Sequence, residues 1–375
     1  MNNTTQITEA LKRLIVKDNR AFVAMLSGEW GIGKTYFWKN FVKQQNEERS
    51  KINFTYISLF GYNSLQSLKS DIVLKLSKVE TSKDIFNKIF QSVKTSLGSK
   101  DNNETINVNL SGALVSSALS LIPEKSLKDS VICFDDFERL SDKISLKDVM
   151  GLISQFKEQK ECKIIMILNE QELDKLSDID GRKYDDIFAL YKEKIVDYNF
   201  YYQPTQDELF NIIETDIKNI TFCQHQTIYN FFKKIDLKNI RIMKQSLYLL
   251  EKFLFIGSED YHQKIIDEFV EIALNIFVFK AKTNYTYPEF YDFITSPTFY
   301  DLRYNEPEPP KRNKKFSKKD LEEKHKINLK YYFREENRND YSINKRLIEK
   351  ELYTFIDTHF TDKEKFKTLL KNNNK

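Results

Sequence analysis

The sequence predicts an α/β fold, a parallel sheet with helices on both faces, followed by a small all-helical module and an all-helical C-terminal region. Three observations predict it. Short apolar runs with little polar alternation, the pattern of strands covered on both faces, recur between residues 21 and 202. Helical patterns separate them, giving the alternating order of a parallel sheet. After Pro204 the strand signals stop and helical periodicity takes over.

The first run, 21–26 (AFVAML), leads through a glycine-rich turn into a helix over 33–45. The second, 54–60 (FTYISLF), precedes a helix over 65–78. Residues 79–130 read as an insertion, charged at first and then SGALVSSALSLI at 111–122, which is too short to span a bilayer and whose small residues suit close packing. The third run, 131–134 (VICF), is followed by a helix over 145–158, and the fourth, 164–168 (IIMIL), by one over 183–192. With the fifth, 195–202 (IVDYNFYY), residues 1–203 make one domain. A small all-helical module, 204–256, opens at TQDELFNIIETDI, where Thr205 and Glu208 have capping-box spacing. Residues 257–375 hold the apolar-faced YHQKIIDEFVEIALNIFVFK, an aromatic-rich patch at 285–304, a basic linker at 306–319 and a last helical pair.

Composition narrows the function classes. The 375 residues, 41% hydrophobic and 14% aromatic, are ample for sizeable cores. Cys133, Cys162 and Cys223 lie far apart without a C-x-x-C or histidine pattern, which fits reduced, buried thiols and not a metal site. No stretch reaches 18 consecutive apolar residues and the N-terminus lacks a signal-peptide pattern, so a cytoplasmic protein without a spanning segment is expected. The net charge of +4 is concentrated at the C-terminus, where residues 301–375 carry 20 Lys and Arg against 14 Asp and Glu.

The chemistry starts at 28–35, GEWGIGKT, which spends three of the chain's nine glycines and matches G-x-x-x-x-G-K-[ST] between a strand and a helix. Gly28, Glu29, Trp30, Gly31, Ile32, Gly33, Lys34, Thr35 and Tyr36 are the expected phosphate cradle. The glycines let successive N–H groups face one phosphate, Lys34 supplies a cation, and the Thr35 hydroxyl is offered to Mg2+. The acid partner is VICFDDFERL at 131–140. Its apolar run ends in Asp135 and Asp136 at the carboxyl edge of a buried strand, where open α/β sheets bind ligands. Asp135 is expected to hold Mg2+ and Asp136 to orient or deprotonate the attacking water. Asn169, where the 164–168 strand ends, would face the γ-phosphate as a sensor if that strand lies between the other two, or would simply cap the helix that follows.

GEWGIGKT, FDDFER and NIRIMKQSL at 239–247 together resemble the KAP-type P-loop NTPases, a group close to AAA+ and STAND ATPases, over about residues 20–255. The resemblance implies ATP and Mg2+ as cofactors, a helical lid, and a nucleotide-sensing role for Arg241 within its N-x-R-x-x-K pattern; as a bare sequence element Arg241 reads equally as a solvated helix residue. It also implies a homo-oligomer or a separately encoded effector as partner, and for bacterial relatives a role in defence against phage or plasmids. ATP is favoured over GTP because no N-K-x-D accompanies the P-loop; DIDG at 178–181 reads as a turn. Arg182 is a candidate arginine finger. Against the nucleotide switch stands a nucleic-acid-binding reading, with basic residues 311–319 gripping phosphates and Tyr331, Tyr332 and Phe333 stacking on bases.

Overall fold

The structure, a computed structural model, describes residues 2–48, 51–77, 127–173, 183–283, 285–294 and 345–371. It divides into two compact units, Met1–Pro204 and Thr205–Lys375. In the first, β1 (Val23–Ser27), β2 (Asn53–Ser58), β3 (Ser130–Asp135), β4 (Lys163–Leu168) and β5 (Tyr198–Tyr201) form one sheet in the order β2-β3-β4-β1-β5. Every pairing is parallel. Each strand falls within three residues of an expected apolar run.

Burial follows position in the sheet. Every residue of the three inner strands β1, β3 and β4 is buried, whereas the edge strand β2 is buried only at Thr55 and Ile57 and the edge strand β5 has no fully buried residue. Around the sheet lie α1 (Asn3–Lys12), α2 (Lys34–Glu47), α3 (Leu65–Ser77), α4 (Leu146–Lys160), the short α5 (Glu170–Leu173) and α6 (Tyr184–Ile195). Alternate strand residues serve opposite cores, as the two-residue side-chain period requires. Val23, Met25, Ile132 and Phe134 pack with α3, α4 and α6, while Ala24, Leu26, Val131 and Cys133 pack with α1 and α2.

Helix α1 is an addition to the sequence reading. Ile7, Leu11 and Ile15, buried at four-residue intervals, seat it and the π-turn Arg13–Lys17 against the sheet. Its first residue is clasped to the end of β5, the Asn3 amide donating to the Tyr201 carbonyl at 3.0 Å and accepting from the Gln203 N–H at 2.7 Å. Lys163, buried at the start of β4, donates to the Ile15 carbonyl at 2.6 Å and so ties down the other end.

The second unit is helical: α7 (Gln206–Lys218), α8 (His225–Lys234), α9 (Ile240–Glu251), α10 (Gln263–Thr283), α11 (Tyr287–Ile294), α12 (Lys345–Thr358) and α13 (Lys363–Lys371). The capping box forms as the spacing predicts, with the Thr205 hydroxyl accepting from the Glu208 N–H and the Glu208 carboxylate accepting from the Thr205 N–H. One apolar core runs from Leu209 to Leu370 and is built on aromatic contacts, Phe253 meeting the rings of Phe255, Phe269, Phe277, Phe355 and Phe366.

Cys133 and Cys162 are buried, and Cys223 is only partly so. Among the described residues no helix is long and apolar enough to cross a membrane. Most of the insertion with SGALVSSALSLI, the DIDG turn, Arg182, the basic stretch 311–319 and Tyr331, Tyr332 and Phe333 lie outside the described residues.

Candidate functional site

The sheet order explains why distant sequence elements converge. β4 lies between β1 and β3, so the segments after β1, β3 and β4 leave the same carboxyl edge side by side. Residues 28–33 form the turn from β1 into α2. Gly28 is obligatory there because a Cβ would meet the Tyr202 carbonyl oxygen at 2.8 Å. Gly33 caps α2 in a left-handed conformation, φ 100°, and contributes no side chain to the cap. The first N–H groups of α2 therefore keep their capacity for an anion, favoured further by the positive helix end.

Ile32 is buried beneath the loop and anchors it, while Glu29, Trp30 and Tyr36 face outward. Lys34 turns back over the cradle, its ammonium donating to the carbonyls of Gly28 at 2.7 Å and Glu29 at 2.9 Å. Three N–H bonds are available to an ammonium, so one remains for a ligand. Burial pushes the Lys34 pKa down, and the charges of Glu138, Asp135 and Glu29 oppose that shift.

Asp135 closes β3 and reaches the P-loop helix directly. The Thr35 hydroxyl donates to its Oδ2 at 2.7 Å, joining residues 100 positions apart in sequence. Tyr56 of β2 donates to the same oxygen at 2.8 Å, a partner that the sequence reading missed. Burial raises the Asp135 pKa, while the hydrogen bonds from Thr35 and Tyr56 pull it back. Asp136 stands in a left-handed conformation, φ 64°, at the entry to a short 3-10 turn, Phe137–Arg139. Its carboxylate accepts from the Ser58 hydroxyl at 2.5 Å and lies 3.8 Å from the Arg139 guanidinium, which stacks over Phe60.

Glu138 is turned inward. Its Oε2 is buried with no hydrogen-bond partner among the described residues, and burial raises its pKa against a hydrogen bond from its own backbone N–H and the attraction of Lys34. Asn169 is buried at the end of β4, where its side-chain oxygen accepts from the Gln171 N–H at 3.2 Å. The capping geometry is thus present, and the amide N–H groups have no hydrogen bond among the described residues.

The donor set fits Mg2+. A threonine hydroxyl and a carboxylate are hard oxygen ligands, and Mg2+ commonly takes one or two protein groups with the rest from phosphates and water. Among the described residues no three His, Cys, Asp or Glu side chains converge as a self-sufficient metal site.

Arg241 belongs to the second unit. Its neighbours in N-x-R-x-x-K have structural work. Asn239 caps α9 by accepting from the Ile242 N–H at 3.1 Å, and Lys244 pairs with Asp216 at 2.9 Å. Arg241 itself is exposed on the first turn of α9.

Among solved structures the chain is similar to Cdc6p from Pyrobaculum aerophilum, at 16% identity and a TM-score of 0.43 over 68% of this chain and 62% of that one. It is likewise similar to the Aeropyrum pernix ORC2 protein, solved as ADPNP-ADP complexes, at 16% identity and a TM-score of 0.46 over 72% of this chain and 66% of that one. The chain therefore matches about two thirds of the length of these two proteins. Comparison with curated proteins gave no match. The KAP family P-loop domain matches residues 4–254, well over half of the chain and all the elements that converge at the sheet edge, and the protein belongs to the KAP family of P-loop NTPases.

Proposed function

We propose that the protein is a Mg2+-dependent ATPase whose nucleotide state acts as a switch on an oligomer or a separately encoded partner. The observation that carries the ATPase reading is the 2.7 Å bond from Thr35 to Asp135, which brings the metal-binding hydroxyl and acid of the two motifs to one point. When bound, Mg2+ supplies charge neutralisation for the phosphates and a Lewis acid for their cleavage. The chain's own residues do the rest. The loop and α2 N–H groups orient the phosphates, and Lys34 contributes a cation to the β and γ groups. Asp135 and Thr35 hold the ion, Asp136 orients the attacking water, and Asn169 offers an N–H from the strand between them. Arg241 is assigned to sensing nucleotide from a helical lid over residues 204–256.

Titration with a fluorescent ATP analogue tests the reading. Lys34→Ala should weaken Mg·ATP binding at least tenfold, the scale of losing a charge-assisted contact of about 1.5–3 kcal/mol. Equal affinity in both proteins would sink it.

The switch role and service in defence against phage or plasmids rest on the family resemblance. The nucleic-acid reading rests on residues 311–319 and is separable by experiment: on that reading, replacing Lys314, Lys315, Lys318 and Lys319 by Glu should abolish salt-dependent DNA or RNA binding in a gel shift, whereas the nucleotide-switch reading expects no effect.

A further inference from the structure

The Asp135 carboxylate is held from three sides. Oδ2 accepts from Thr35 at 2.7 Å and from Tyr56 at 2.8 Å, and Oδ1 accepts the Asp136 backbone N–H at 2.8 Å. A carboxylate offers about four lone-pair sites, two on each oxygen. The two hydroxyls occupy those of Oδ2, so the group has one direction left, through Oδ1, in which to meet an incoming ion or its water.

Tyr56 is itself well placed to impose this orientation. In the β2–β3 register Tyr56 is opposite Cys133 and Ser58 is opposite Asp135, which makes Tyr56 and Asp135 diagonal neighbours on one sheet face. Diagonal Cβ atoms lie about 7–8 Å apart, within reach of an aromatic side chain. From α2, which begins in the P-loop, Lys39 sits 5.2 Å from the Tyr56 ring centre. From α3, Lys75 donates to the Tyr56 carbonyl at 3.0 Å. A phenylalanine would supply the same ring to this half-buried edge position. What tyrosine adds is the hydroxyl, and among the described residues the side chain it bonds is Asp135.

We propose that Tyr56 is a positioning residue that fixes the Asp135 carboxylate for the metal ion accompanying the nucleotide, so that the edge strand β2 sets the Mg2+ requirement of the site. The inference rests on the assignment of Asp135 to the metal. It separates binding of the ion from binding of the phosphates, which the P-loop performs through groups that Tyr56 does not touch.

The experiment measures a fluorescent ATP analogue bound to the full chain, first in EDTA and then across a Mg2+ titration, for wild type, Tyr56→Phe, Asp135→Asn and Tyr62→Phe. Electron paramagnetic resonance of Mn2+ with a non-hydrolysable ATP analogue gives a second readout of the ion without turnover. Tyr62→Phe deletes a neighbouring hydroxyl that bonds Asp71 and serves as the control. The half-saturating Mg2+ and Mn2+ concentrations should rise about tenfold in Tyr56→Phe, the scale of a lost hydrogen bond to a charged group. Metal-free nucleotide affinity should stay at the wild-type value, and Tyr62→Phe should match wild type throughout.

An unchanged metal requirement in Tyr56→Phe beside a raised one in Asp135→Asn overturns the proposal. An unchanged requirement in Asp135→Asn overturns the metal assignment beneath it. Equal weakening with and without metal in Tyr56→Phe also overturns the proposal, because a loss of packing alone predicts that result.

Discussion

Asp136 and Glu138 divide the acidic end of β3 between them, and their environments are opposite. Asp136 accepts from Ser58 and stands in a left-handed conformation that Asn tolerates as well as Asp. Asp136→Asn therefore removes the charge without adding backbone strain. If Asp136 orients the water, turnover should fall on the order of 10²-fold while ATP stays bound, as a steady-state assay beside an ATP-binding titration will report. Unchanged turnover would transfer the role to Glu138, whose buried Oε2 has no partner among the described residues. Burial raises the Glu138 pKa above that of the unfolded chain. The folded chain then holds this proton more tightly, so the contribution to stability is favourable below the ordinary glutamate range and is lost as pH rises through the folded value. Glu138→Gln should accordingly raise the melting temperature at pH 7 by roughly 2–4 °C, the equivalent of about 1 kcal/mol of relieved burial in a unit of this size. The gain should vanish toward pH 4, and a lower melting temperature at pH 7 would show that the carboxylate is stabilising.

Elements were legible where their signal is local. β1, β3 and β4 read as unbroken apolar runs because both faces of an inner parallel strand are covered, and the Thr205–Glu208 cap is contained in four residues. GEWGIGKT could be recognised because phosphate binding constrains residue types at fixed spacing, and the two aspartates because they terminate such a strand. Helix α1 escaped the reading, although the four-residue repeat of Ile7, Leu11 and Ile15 announces it, because its own ten residues hold only three apolar positions, Ile7, Ala10 and Leu11, and the stripe continues only in the π-turn. Tyr56 and Ser58 were not legible at all. Both are ordinary strand residues, and their roles exist only through the register of β2 on β3, which joins positions about 80 apart in the chain. In N-x-R-x-x-K the resemblance singled out Arg241, and the structure gives its pattern neighbours Asn239 to a cap and Lys244 to an ion pair.

For the whole molecule, two units with separate cores mean that a ligand held by one need not stabilise the other. Hydrogen exchange with and without Mg·ATP should show slowed exchange at residues 28–37 and 130–139, because a ligand at 100 times its Kd adds about 2.7 kcal/mol to the state that binds it. Slowed exchange at 239–247 as well would support Arg241 as a nucleotide sensor, and its absence would count against the lid. The position of β1 has a further consequence, during synthesis. It is an inner strand whose only neighbours, β4 and β5, both come much later in the chain. A ribosome adding about 5–20 residues per second needs on the order of ten seconds to deliver β4 after β1 has been made. For that interval an apolar strand and the glycine loop beside it are without their sheet partners, and nascent chains long enough to contain GEWGIGKT but not β4 should engage chaperones and bind no nucleotide.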